Sequence, residues 1–130
     1  MSRVVIYTDL DGSLLDHDTY SHAEADALLA ELEQQGVPVI PVSSKTRAEL
    51  LEMRRELGNR HPFIAENGAA VFIPEGYFPE PPAGTQLQEG FFVREFSLRR
   101  SSWLEKLASV ATQYHVDYRG FASLSLDEIV

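Results

Sequence analysis

Val4-Val5-Ile6-Tyr7-Thr8-Asp9-Leu10-Asp11-Gly12-Ser13 is the stretch on which the fold turns. Val4 to Tyr7 is β-branched and aromatic, which predicts a buried strand; it runs straight into two carboxylates and a glycine, which predict a loop. Two later segments repeat this layout. Val37 to Val42 is an apolar run ending in Ser43-Ser44-Lys45, although Pro38 and Pro41 each remove a ladder donor. Phe63-Ile64-Ala65 ends in Glu66-Asn67-Gly68, and Asn-Gly predicts a hairpin leading into Ala69 to Ile73. Helices fill the gaps. Ser21 with Glu24 forms a capping box ahead of the stripe Ala25, Leu28, Leu29, Leu32, which Gly36 stops. Thr46 with Glu49 does the same for Leu50, Met53 and Leu57, up to Gly58. Strands alternating with helices imply right-handed crossovers and an α/β fold with a parallel, doubly wound sheet. Asp9, Asp11, Ser43, Lys45, Glu66 and Asn67 all follow a strand's last apolar residue, the edge where open α/β sheets bind ligands.

Composition narrows the function. The chain has 130 residues, 44% hydrophobic and 24% charged, as expected of a folded domain rather than a disordered one. Eleven basic against twenty acidic residues give a net charge of −9, which argues against nucleic acid or an anionic membrane as partner. With no cysteine, disulfides, thiolate nucleophiles and Cys-ligated zinc are excluded. The short apolar run near Met1 is far below a signal-peptide core or a membrane span, so a cytoplasmic protein is expected.

From Pro74 the composition changes. Pro74, Pro79, Pro81 and Pro82 with Gly76 and Gly84 read as a linker, giving domains at residues 1–80 and 81–130. Phe91 to Phe96 predicts a strand, Ser102/Glu105 opens a helix with Leu104, Leu107, Ala108 and Ala111 on one face, and Val116 to Tyr118 predicts another strand. Ser125 and Glu128 announce a helix that Val130 cuts off, and an isolated helix needs about a dozen residues. The sequence is therefore expected to be the first part of a longer chain. His17, His22, His61 and His115 show no metal spacing and read as surface residues.

In Asp9-Leu10-Asp11 the acids are two residues apart, so an extended backbone returns both to one side. Adjacent carboxylates repel unless a cation offsets them, which favours Mg²⁺ with its oxygen ligands. Gly12 permits a sharp turn whose amides are expected to receive phosphoryl oxygens. An EF-hand is excluded, because Leu14 and Tyr20 stand where that loop needs Gly and Glu. A lone Asp-x-Asp-Gly also makes an Asx-type turn, and the polar ends of the other two strands decide against that reading here.

These residues resemble the haloacid dehalogenase-like phosphatase superfamily, whose first motif, hhhhDxDG[TS], matches Val5 to Ser13 and whose second-motif Ser or Thr matches Ser43. Glu66-Asn67-Gly68 resembles the branch with an inserted α/β cap. Pro41 to Thr46, Ile64 to Ala69 and Ile73 to Phe78 look like the mannosyl-3-phosphoglycerate phosphatases within it, although other members usually have Thr-Gly-Arg where this chain has Ser-Ser-Lys. The likeness covers residues 3–78 well and the remainder loosely. It implies a Rossmann-like parallel sheet of a haloacid dehalogenase-type core, incomplete here, followed by the beginning of a cap.

The resemblance further implies an Mg²⁺-dependent phosphomonoesterase acting on a small phosphorylated sugar acid through an aspartyl-phosphate. Asp9 is then the nucleophile, and Asp11 the acid and later the base. Asp9 and the Asp11 carbonyl hold the metal, and Ser43, Ser44 and Lys45 bind phosphate or substrate. Lys45 reads equally well as a solvated lysine opening the second helix. Glu66 and Asn67 lie beside the site in the family, with turn formation the stronger reason for Asn67. The superfamily's downstream basic residue and acidic metal-binding segment are missing, so metal affinity and catalysis are expected to be badly impaired in this chain alone. An unpaired first-strand edge further implies a homodimer or a separately encoded C-terminal half. The alternatives are a related sugar phosphatase, or a non-catalytic phospho-acceptor or association module.

Overall fold

The computed structural model describes residues 4–129. The strands are β1 (Ile6–Thr8), β2 (Val39–Pro41), β3 (Phe63–Ala65), β4 (Ala70–Pro74), β5 (Gln86–Gln88) and β6 (Phe91–Glu95); the helices are α1 (Asp26–Gln34), α2 (Arg47–Glu56), α3 (Arg100–Tyr114) and α4 (Leu126–Ile129). They fall into two compact units, one ending at Ser97 and one beginning at Leu98. Composition alone put the division at 80/81. The structure carries the first unit further because β6 returns to lie antiparallel against β4, with Phe72 opposite Val93, and β5 pairs with β6.

β1 and β2 are parallel, with Tyr7 opposite Ile40, and the only link from β2 to β3 among the described strands is a parallel bridge between Val42 and Ile64. Beyond it β3, β4, β6 and β5 form an antiparallel sheet. The two prolines explain this uneven pairing. Ile6 N–H donates to Pro38 O at 2.9 Å and Val42 N–H to Thr8 O at 2.8 Å, so even-numbered residues of β2 face β1. Pro41 therefore loses its donor on the β3 side, where a ladder is least developed. There the Asn59 side chain donates to Val39 O at 2.8 Å, replacing a strand partner. We expect Asn59→Ala to leave that carbonyl unpaired next to buried Val39 and to cost about 1–3 kcal/mol in urea denaturation. An unchanged midpoint would show that water replaces the amide.

The core of the first unit joins Leu10, Leu15, Leu50, Phe63, Ala65, Phe72 and Val93. Phe63 stacks on Phe72 at 4.7 Å and meets Phe91 edge-on. Arg54, four residues after Leu50 and so on the apolar stripe of α2, is buried; its guanidinium lies 4.8 Å from the Phe63 ring centre and donates to His61 O at 2.7 Å. Burial pulls its pKa below the ordinary arginine value.

Several local expectations shift. The Thr46/Glu49 capping box forms as read. Ser21, by contrast, accepts from Ala23 N–H in a short turn, and α1 starts only at Asp26 with no side-chain cap. β1 is not buried on both sides: Tyr7 is 63% exposed, and β1 pairs only with β2 among the described residues. In the second unit α3 starts at Arg100, ahead of the expected Ser102 box, and ends where His115 takes a left-handed conformation at φ 54°. Val116 then donates to Ala111 O, closing the helix end, and no strand forms at 116–118. At Ser125 only half of the expected box forms: Ser125 N–H and Oγ donate to Glu128 Oε2, the Glu128 amide goes to Ser125 O rather than to the hydroxyl, and Arg119 pairs with the same carboxylate. No helix among the described residues is long and apolar enough to cross a membrane.

Candidate active site

The loop after β1 is pegged to the core at two points, Leu10 at 0% and Leu15 at 2% exposure. Leu15 and Ser13 amides both donate to Leu10 O, and Gly12 N–H donates to Leu15 O at 3.0 Å, with Gly12 at φ 73° where a side chain is disfavoured. Burying Leu10 leaves its neighbours at the surface, with Asp9 exposed and Asp11 half-buried. Both line an open cavity of about 590 Å³ with Thr8, Ser43, Ser44 and Asn67. One expectation fails here: the Gly12 and Ser13 amides are consumed within the loop and cannot cradle a phosphoryl group.

Ser43 is 4% exposed at the end of β2. Its N–H donates to Ile64 O, and its Oγ accepts from Lys45 N–H at 3.2 Å, which leaves the hydroxyl proton to be donated elsewhere. Ser44 is exposed at the cavity rim. Lys45 does not line the cavity. Its ammonium stands 3.0 Å from Asp11 Oδ1 and 5.6 Å from the centre of the Tyr20 ring. Glu66 and Asn67 follow β3 with φ of 52° and 56°, both left-handed. Their amides donate to Lys45 O and Ser43 O, so this turn clamps the Ser43–Lys45 loop. Asn67 thus forms the expected turn and also reaches the cavity wall, whereas Glu66 is exposed away from it.

Asp9 and Asp11 are the groups able to hold a cation. Asp11 Oδ1 is buried and receives no hydrogen bond, the Lys45 contact being an ion pair too poorly angled to count as one. The exposed Asp9 carboxylate, lining the cavity, suits Mg²⁺, which uses one or two protein carboxylates and fills its shell with waters and phosphate oxygens. Among the described residues no cluster of three or more His, Cys, Asp or Glu could hold a metal alone.

Sequence reasoning missed the loop that carries Tyr20. Asp16 Oδ1 accepts from Thr19 N–H, Thr19 Oγ1 and Asp18 N–H, an Asx-type arrangement whose signal is the Asp-x-Asp-Thr run itself. These bonds, the Thr19 amide first, hold the Asp16 carboxyl below its ordinary pKa of 3.8. A depressed folded-state pKa means that the loop's stabilisation is complete above about pH 4 and fades as pH falls through the folded value. We expect the Thr19 amide resonance to move toward its unstructured position only below that pH; a midpoint at or above 4.5 would contradict the bonding. His61, read as a surface residue, is mostly covered, with Nε2 2.8 Å from Glu33 and Nδ1 2.8 Å from Tyr77 Oη.

Parallel strands whose carboxyl ends gather an Asp-x-Asp pair, a buried serine and a lysine define a hydrolase of the haloacid dehalogenase-like class. The chain belongs to that family: the profile described as haloacid dehalogenase-like hydrolase matches residues 6–78. It is 50% identical over 74 residues to the glucosyl-3-phosphoglycerate/mannosyl-3-phosphoglycerate phosphatase of Persephonella marina, covering 57% of this chain and 28% of that protein. It is 37% identical over 116 residues to the mannosyl-3-phosphoglycerate phosphatase of Pyrococcus horikoshii, covering 89% of this chain and 46% of the relative. The chain thus spans less than half the length of these relatives. A solved haloacid dehalogenase-like hydrolase from B. subtilis superposes with a TM-score of 0.55 at 20% identity, over 85% of this chain and 34% of that one, which speaks for the fold alone.

Proposed function

We propose that this chain carries the Asp9/Asp11 part of the active site of an Mg²⁺-dependent phosphomonoesterase, with a glucosyl- or mannosyl-3-phosphoglycerate as substrate. The observation that carries the reading is the shared cavity of Asp9, Asp11 and Ser43 at the strand ends. The names of the two relatives support the substrate class.

In this reading an Asp9 carboxylate oxygen attacks phosphorus and the ester P–O bond breaks, leaving an aspartyl-phosphate. Asp11 gives its proton to the departing alkoxide, then takes one from the water that cleaves the acyl-phosphate and restores Asp9. Ser43 donates its hydroxyl proton to a phosphoryl oxygen, a role its bond from Lys45 N–H leaves open. Ser44 borders the same phosphate space, and Glu66 and Asn67 keep the Ser43–Lys45 loop in place. Asp9 and the Asp11 carbonyl would hold Mg²⁺, which would supply charge offsetting the repulsion between nucleophile and phosphate. The open β1 edge, with Val5 45% and Tyr7 63% exposed, supports pairing with a second copy or with a separate C-terminal half.

The test is phosphate release from mannosyl-3-phosphoglycerate, glucosyl-3-phosphoglycerate and mannose 6-phosphate, with Mg²⁺ and with chelator, alongside a mass search for phosphorylated Asp9. The expected result is preference for the two phosphoglycerates, loss on chelation, and a labelled Asp9 peptide. Release that ignores chelator, or neither release nor label with any substrate, overturns the proposal.

A further inference from the structure

Lys45 does not line the cavity but stands against the flank of Asp11, and its side chain is mostly covered, with only 18% exposed. Its position is not that of a group built to sit on the transferred phosphate. Two features surround it. Asp11 is its only ion-pair partner among the described residues, and the Tyr20 ring lies 5.6 Å from its ammonium, within cation–π range. Tyr20 itself is unusual: 58% exposed, yet held at φ 56°, a conformation that side-chain-bearing residues rarely adopt. Its loop maintains that conformation through Tyr20 N–H to Asp16 O, Asp16 N–H to Ser21 O, and the three bonds received by the Asp16 carboxylate. A strained, exposed aromatic fixed beside a cation at a reaction site points to a role in the site.

We infer that Tyr20 is a positioning residue for Lys45, and that Lys45 exchanges Asp11 for a second anionic group on the substrate, the carboxylate of a phosphorylated hydroxy acid. This rests on the phosphatase reading of the cavity and deepens it by naming what discriminates the substrate. While the site is empty, Asp11 neutralises the ammonium. When a substrate carboxylate arrives, Lys45 turns to it and leaves Asp11. The ring of Tyr20 keeps the ammonium at the cavity's flank during the exchange, since a cation beside an aromatic face loses less on giving up one carboxylate than a bare one does. A phosphomonoester without the carboxylate leaves the Lys45–Asp11 pair intact and meets a weaker site.

The experiment titrates the full chain, with Mg²⁺ present, against 3-phosphoglycerate, glycerol 3-phosphate and inorganic phosphate, following amide resonances or heat. Wild type is expected to prefer 3-phosphoglycerate over glycerol 3-phosphate by about tenfold, the scale of one well-placed ion pair. Lys45→Met should bring that ratio below about twofold, Tyr20→Ala to roughly threefold, and Tyr20→Phe should keep it, because the ring face survives. Phosphate affinity should change by less than about twofold in the two Tyr20 variants, which also reports that each is folded. Ser43→Ala separates the layers: it should weaken all three probes alike. If Ser43→Ala behaves so while Lys45→Met or Tyr20→Ala keeps the full preference, the inference is overturned and the phosphatase reading stands. If no probe binds, or Ser43→Ala affects none, both fall together.

Discussion

On the proposed phosphatase reading, Asp9→Asn is expected to lower phosphate release by on the order of a thousandfold or more, because the amide could not form the acyl-phosphate on which both half-reactions would depend. The substitution keeps shape and volume at an exposed position, so unfolding is not an available explanation. The decisive comparison measures release and phosphate binding on the same preparation. Binding should stay within about threefold, since Ser43 and the rest of the cavity wall are untouched. Release that survives at the wild-type rate would remove Asp9 from the nucleophile's role and move attention to water activated directly by Asp11.

Leu10→Ala is expected to destabilise the first unit by about 2–5 kcal/mol, the usual cost of removing a fully buried leucine and leaving space behind. Leu10 is 0% exposed and belongs to the same cluster as Phe63 and Leu50. For a domain of ordinary stability this is a large fraction of the total. The loss should reach the site as well. Leu10 is the residue between the two carboxylates, and its carbonyl receives the Leu15 and Ser13 amides that close the loop. Urea denaturation gives the energy, and the salt dependence of the Lys45 resonance reports whether the Asp11 pair persists. A change below about 1 kcal/mol would show that the loop is held by its hydrogen bonds rather than by this side chain.

What the sequence made legible was local. The strand ends carrying Asp9, Ser43 and Asn67, and the box opening α2, depend on residues within a few positions of one another, and all are where the pattern put them. What it hid was non-local. Proline-rich residues after Pro74 look like a boundary until β6 is seen to fold back onto β4, a pairing that no spacing announces. The burial of Arg54 depends on rings contributed by Phe63 and Phe91, which come from β3 and β6. The Gly12 amides looked available for a phosphate because the sequence does not show that Leu15 turns its carbonyl back to one of them. Competing local bonds account for the rest: Ser21 closes its own turn, which delays α1 to Asp26. Within the candidate site, the carboxylates and Ser43 could be named from the strand-end pattern. Tyr20 could not, since an aromatic in a loop acquires meaning only when a cation is found beside it.

The missing donor of Pro41 has a mechanical consequence. It leaves β1 and β2 as one panel and β3 to β6 as another, stitched along a sparse seam by Val42 with Ile64, by Ser43 N–H on Ile64 O, and by the two amides of the Glu66–Asn67 turn. Asp9 and Asp11 follow the first panel, while Ser43 lies on the seam itself, bonded to Ile64 O and to the Asn67 amide, so the site sits where the two panels are joined. The Glu66–Asn67 turn is therefore a fastening of the site itself, since the two amides it contributes to the seam end on the Ser43–Lys45 loop.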